Sequence, residues 1–146
     1  MLKSSIKLTG KVNIKKYEND ELIDNITIDN IIVTTGQNYI AQRILNNTTT
    51  AMTHMAIGSS QIPQTIDDTA LFTEITRNAF LSGTVTNAQV EYVATFAPPA
   101  SVARSITEAG IFSAASAGTL LCRTTFPAVT QSTAQTIAIS WIITVG

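Results

Sequence analysis

Charge is what this chain has least of. Only 13% of its 146 residues are Asp, Glu, Lys or Arg, about half the usual share of a soluble domain. No lysine follows Lys16, and residues 51–146 hold just eight charged side chains. A body so poor in charge either covers itself with hydroxyl and amide groups or buries much of its outside against other subunits. Thr, Ser, Asn and Gln fill the gaps between its apolar residues, so the composition serves both ends. Membership of an assembly, rather than life as a free enzyme, is the expectation.

Other absences exclude whole classes. Cys122 is the only cysteine, which rules out an internal disulfide framework and fits folding in a reducing cytoplasm. With His54 as the only histidine, a metal centre built on His and Cys ligands is excluded too. No run approaches the roughly 18 consecutive apolar residues that span a bilayer, so the mean hydropathy of +0.22 is spread along short segments and no membrane partner is expected. The opening Met-Leu-Lys-Ser-Ser-Ile-Lys-Leu-Thr-Gly lacks the apolar core of a signal peptide, and export by that route is not expected. A net charge of −1 lacks the basic excess that phosphate neutralisation needs, so no nucleic-acid partner is expected. The same near-neutrality permits close self-association. At this length one domain, 1–146, with one core is expected.

What the chain does have is period-two alternation. Ile6, Leu8, Val12 and Ile14 share one parity while Lys7, Lys11 and Lys15 take the other, a strand with one wet face; Gly10 marks a possible bulge within it. After the polar turn Tyr17–Leu22, Ile26, Ile28 and Val33 continue a β-branched run, so 1–33 is predicted to be a hairpin arm bearing the lysines on its exposed face. Thr34 or Thr35 is a candidate cap for a short helix over 34–46, with Ile40, Ala41, Ile44 and Leu45 on one stripe. The polar loop 46–50 then joins this unit to a body over 52–146. There, short apolar runs at 54–57, 79–81, 89–96, 111–112, 120–125 and 137–145 are separated by turn signals, and 58–68, 82–88 and 97–105 are expected to be loops. The fold class expected is all-β: an antiparallel β-sandwich, or a partly open barrel, with an N-terminal hairpin and one short helix. In the last strand Ile137, Ile139, Trp141, Ile143 and Val145 share a face.

Chemistry-bearing patterns are scarce. Asp67-Asp68 fits a turn in which aspartates bond nearby amides better than a calcium loop, because no Asp-x-Asp-x-Asp series supports it. His54 has no recognisable Ser and acid partners, and Cys122 between Leu121 and Arg123 fits a small buried strand residue better than a nucleophile. The glycines are too isolated for a phosphate-cradling loop. No catalytic, cofactor-binding or metal-binding residue is assigned. Among Glu74, Arg77, Arg104, Glu108 and Arg123, any charge taken into the body must be paired, and Glu108 is predicted to pair with Arg77 or Arg123.

Three segments together carry a family resemblance. Met55-Ala-Ile-Gly-Ser-Ser-Gln-Ile-Pro-Gln-Thr-Ile-Asp-Asp-Thr-Ala-Leu-Phe-Thr-Glu-Ile-Thr-Arg77, Ile106-Thr-Glu-Ala-Gly-Ile-Phe112 and Leu121-Cys-Arg-Thr-Thr-Phe-Pro127, read with the Trp141 strand, resemble segments of tailed-bacteriophage tail-collar fibre and related small virion proteins. The resemblance covers residues 52–146. It implies that Gly58 sits where a strand turns into a loop, that Thr69-Ala70-Leu71 tucks that loop back, and that Glu74, Arg77 and Glu108 are structural. It also implies a non-enzymatic virion component without cofactor, assembled in the host cytoplasm as a trimer or ring with other virion proteins. Tail, collar or baseplate is the first location, and capsid decoration (a cement role) the alternative. A host-surface carbohydrate-binding module is the alternative of another class, and it calls for exposed aromatic or acidic clusters on the three loops.

Overall fold

A computed structural model describes residues 7–46 and 49–146. Two extended segments, β1 (Leu8–Glu18) and β2 (Glu21–Ile32), lead to one helix, α1 (Thr34–Leu45). Seven more strands follow: β3 (His54–Gly58), β4 (Glu74–Ala79), β5 (Ser82–Thr86), β6 (Gln89–Phe96), β7 (Arg104–Phe112), β8 (Leu120–Gln131) and β9 (Gln135–Val145). All nine strands form one sheet, in the order β4-β3-β7-β8-β2-β1-β9-β6-β5. Neighbours are antiparallel throughout, and the sheet curls into a half-barrel. It is all-β with one short helix, and the partly open barrel describes it better than two separate sheets do. The reason is a narrow seam: among the described residues β2 pairs with β8 in register just at Ile31 and Ile32, opposite Arg123 and Cys122. That seam joins a five-strand half to a four-strand half, so the two halves face each other as sandwich layers do while remaining one sheet. Curling also brings β4 across to β6, where Asn78 Nδ2 donates to the Thr95 carbonyl at 2.8 Å.

The alternating patterns explain the interior. Ile137, Ile139, Trp141 and Ile143 of β9 are buried, as are Ala94 and Phe96 of β6 and Val12 and Ile14 of β1. They meet Met55, Ile57, Ile106 and Ile111 from the four-strand half in one continuous core. β9 lies between β1 and β6, so its outer residues Ala138, Ser140, Ile142 and Thr144 are half-buried, which accounts for their weak polarity. Val145 on the same parity as Trp141 is exposed, because the strand ends there.

The hairpin differs from the expected arm. β1 pairs with β9 along its whole length, Leu8 opposite Val145 through Glu18 opposite Gln135. It is therefore an inner strand rather than a projection toward a neighbour: its apolar parity had to be buried, and β9 offered a matching edge. Asn19 and Asp20 form the two-residue turn, both with positive φ (52° and 63°), the conformation that a tight hairpin turn of matching twist requires. The bulge lies at Lys16/Tyr17 rather than at Gly10. Gly10 instead makes room, since a Cβ there would fall on the Asn30 side chain. Of the five lysines, Lys3 lies outside the described residues, Lys7 and Lys11 are exposed, and Lys15 and Lys16 are half-buried.

The helix also departs in detail. Val33 occupies the cap position with no side-chain cap bond, while Thr35 Oγ1 donates instead to the Leu120 carbonyl at 2.8 Å. The contact with the sheet is made at Gly36, the buried residue of the helix, whose missing Cβ lets the backbone of Leu121 approach. Tyr39 and Ile40 are half-buried, but Ile44 and Leu45 are 81% and 84% exposed. The apolar stripe is real; its C-terminal half faces outward. Of the polar loop 46–50, residues 47 and 48 lie outside the described residues.

Candidate functional site

The scarce charges converge on the outer face of the four-strand half. β-pairing places Glu108 of β7 opposite Gly58 of β3 and Thr125 of β8, while Arg123 of β8 stands opposite Gly110. Two glycines and a threonine thus leave space above the sheet for one carboxylate and one guanidinium. Arg123 Nε donates to Glu108 Oε1 at 3.0 Å, and its Nη1 donates to Asp68 Oδ2 at 2.9 Å. Arg123 and Glu108 have no solvent exposure and Asp68 almost none. Charges so deep persist only when every polar atom is answered.

The connection Ser59–Thr73 supplies the answers. Glu108 accepts hydrogen bonds from the backbone N–H groups of Ser60 (3.1 Å), Phe72 (3.1 Å) and Thr73 (2.8 Å). Arg123 Nη2 donates to the Ile62 carbonyl at 2.9 Å, and the guanidinium carbon lies 4.6 Å from the Phe72 ring centre, a cation over an aromatic face. Asp68 fixes its own turn by accepting from Thr65 N and Oγ1. Thr107 Oγ1 donates to the Ser60 carbonyl, and Gln64 Oε1 accepts from Thr125 N and Oγ1. The loop closes at its base where Ser59 N donates to the Thr73 carbonyl at 3.0 Å. It is a compact strap, sealed onto the sheet by three charges, with Leu71 buried beside Phe112 and Leu120 as its apolar anchor.

Gly58 is the hinge point of this arrangement. A Cβ there would stand 2.4 Å from the Thr73 carbonyl oxygen and 2.5 Å from Glu108 Oε2, so neither the strap nor the carboxylate can keep its position. Gly58→Ala is expected to lower stability by about 1–3 kcal/mol through overpacking, measured by urea unfolding. An unchanged midpoint would contradict the placement of Glu108.

Of the two partners expected for Glu108, the structure selects Arg123. Arg77 serves elsewhere: it pairs with Glu74 at 2.7 Å, donates to the Ala114 and Ala117 carbonyls, and lies over the Phe112 ring at 3.6 Å. Arg104 bonds Gln131 Oε1 at 2.8 Å. Asp68 was legible only as a turn residue, and its second role depends on an arginine distant in sequence. His54 is half-buried on β3 with Nδ1 2.7 Å from Thr53 Oγ1. Cys122 is fully buried, and burial pushes its thiol well above the ordinary range, which suppresses the reactive thiolate. Among the described residues no three His, Cys, Asp or Glu side chains gather as metal ligands, and no helix is long and apolar enough to cross a membrane.

A second feature is a shallow apolar groove between α1 and the β5–β6 hairpin. Tyr39, Ile40 and Ile44 form one wall and Val85, Val90 and Tyr92 the other. Phe80 stacks on Tyr92 with centroids 4.6 Å apart. Burial, reinforced by Tyr39 nearby, pushes the Tyr92 phenol up to about 12. The segment 82–86, expected to be a loop, is the edge strand of this hairpin, and all five of its residues are exposed.

No family model matches the chain, and no curated protein or solved structure gives a significant match.

Proposed function

We propose that the protein is a non-enzymatic structural component of a tailed-phage virion, packed against copies of itself and other virion proteins in the tail, collar or baseplate. The observation that carries this reading is the combination of a charge-poor surface with large apolar side chains left in solvent. Ile44, Leu45, Leu81 and Val85 are each at least 70% exposed, and Ile44 and Val85 line one groove. Exposed apolar side chains gathered on one groove of a charge-poor chain mark contact with another protein. The buried charges support the same reading from the other side. Glu108 and Arg123 spend their bonds holding the strap, and no substrate reaches them without displacing it. The resemblance of 55–77, 106–112 and 121–127 to tail-collar fibre and related proteins gives the reading its place in a virion.

Particles banded on a density gradient from cells that make the protein, then probed with an antibody against it, test this directly. The protein is expected in the particle band and on isolated tails. Recovery only at the top of the gradient, free of particles, would sink the proposal.

A further inference from the structure

Several strand edges lack a neighbour among the described residues, and three of them bear on assembly. The outer part of β2, residues 21–30, pairs only with β1; β4 pairs only with β3; and β5 pairs only with β6. Open edges template further pairing, and proteins that stay apart guard them with charge, proline or bulges. The β2 edge carries Glu21, Asp24 and Asp29, and β4 carries Glu74 and Arg77. β5 carries none of these devices. From Asn78 to Val90 there is no charged residue and no proline, and the β5–β6 register runs from Ser82 to Thr86 without a bulge.

We propose that the β5 edge pairs with the β5 edge of a second copy about a two-fold axis, with the groove beside α1 closing over the joint. This rests on the self-packing part of the proposed function and adds its location and symmetry. The occupant follows from the chemistry of the edge. Its free N–H and C=O groups ask for an antiparallel or parallel strand. The charge-free segment offers a charged partner strand no counter-charge of its own, and the cation that lines the groove, Arg43, already donates to the Thr49 carbonyl, whereas a second copy brings an equally neutral strand. The strand is also self-complementary when antiparallel. An axis through Thr84 places Thr84 opposite itself, a favourable cross-strand pair, and sets each Val85 opposite the other copy's Gly83, large against absent side chain. Gly83 and Val85 both line the groove, so the same pairing brings the exposed Val85 of each copy under cover. A net charge of −1 per chain opposes the contact little. The contact is isologous, so the assembly built on it has an even number of copies.

Sedimentation velocity over a range of concentrations, on the full chain and two variants, tests this. Val85 is 70% exposed and Val102, on the connection between β6 and β7, is 73% exposed, so a lysine at either is expected to leave the thermal unfolding of the single chain unchanged. Val85→Lys is expected to raise the dissociation constant at least roughly tenfold, a shift of about 1.4 kcal/mol; Val102→Lys is expected to leave it as it was. Equal association of Val85→Lys and the parent chain, or an odd copy number, would overturn the edge pairing while self-packing stands. A parent chain that stays single at every concentration would overturn both.

Discussion

Removal of residues 1–33 is expected to leave a chain with no cooperative unfolding transition. The deletion takes away β1 and β2, whose positions in the sheet lie between β9 and β8. The core loses Val12, Ile14, Ile32 and Val33, all buried, together with the partly buried Leu8, Ile26 and Ile28. Full burial of one such side chain contributes about 1.5–3 kcal/mol, so the four buried ones alone match the total stability of about 5–15 kcal/mol that a domain has to lose. The free side of β9 adds unpaired backbone groups from Gln135 to Val145, beside a Trp141 no longer covered on that flank. Circular dichroism during a thermal or urea scan gives the answer. A shortened chain that melts cooperatively would show that the hairpin is an accessory arm after all, and that the body folds on β3 to β9 alone.

Arg123→Ala is expected to cost about 3–5 kcal/mol, the usual result of stripping one partner from a buried ion pair. Two carboxylates, Glu108 and Asp68, lose the one cation that pairs with them among the described residues, and the Ile62 carbonyl and Phe72 ring lose the guanidinium they face. Glu108 keeps its three backbone donors, so the damage is expected first in the strap and only then in the sheet. Urea unfolding measures the loss of stability, and limited proteolysis locates it, with new cleavage between Ser59 and Thr73 preceding cleavage elsewhere. Asp68→Asn is expected to cost less, because the amide oxygen still accepts from Thr65. A loss below about 1 kcal/mol for Arg123→Ala, with the strap still resistant to protease, would mean that the three charges are solvated rather than sealed.

Much of this fold was legible in the chain because the interior is written in local alternation. Ile137, Ile139, Trp141 and Ile143 show their buried face without any knowledge of neighbours, and so do Val12 and Ile14. Order in the sheet is another matter: nothing near Leu8 says that its strand will lie against β9 at the far end of the chain, since pairing partners are chosen by the fold as a whole. β5 escaped detection because Ser-Gly-Thr-Val-Thr has one apolar residue and no alternation to read; it is a strand by virtue of its pairing with β6. The helix stripe was visible, yet periodicity gives a face and not what the face meets, so the exposed Ile44 and Leu45 came only with the structure. Beneath the strap, Glu108 stood out because an acidic residue in a body without spare charge calls for a partner, and Arg77 and Arg123 were the two on offer. Asp68 satisfied a local turn so fully that its long-range bond to Arg123 left no trace in the surrounding residues.

On the proposed reading, a chain so short of charge keeps its apolar surface for contact with other proteins, copies of itself first. Light scattering at several protein concentrations, in low and in high salt, tests it most directly. A mass of two or more chains, a whole multiple of 15.6 kDa, is expected, and it is not expected to fall as salt rises, since the proposed contact surface holds few ion pairs for salt to screen. A mass of one chain at every concentration, or an assembly that salt dissolves, would contradict it.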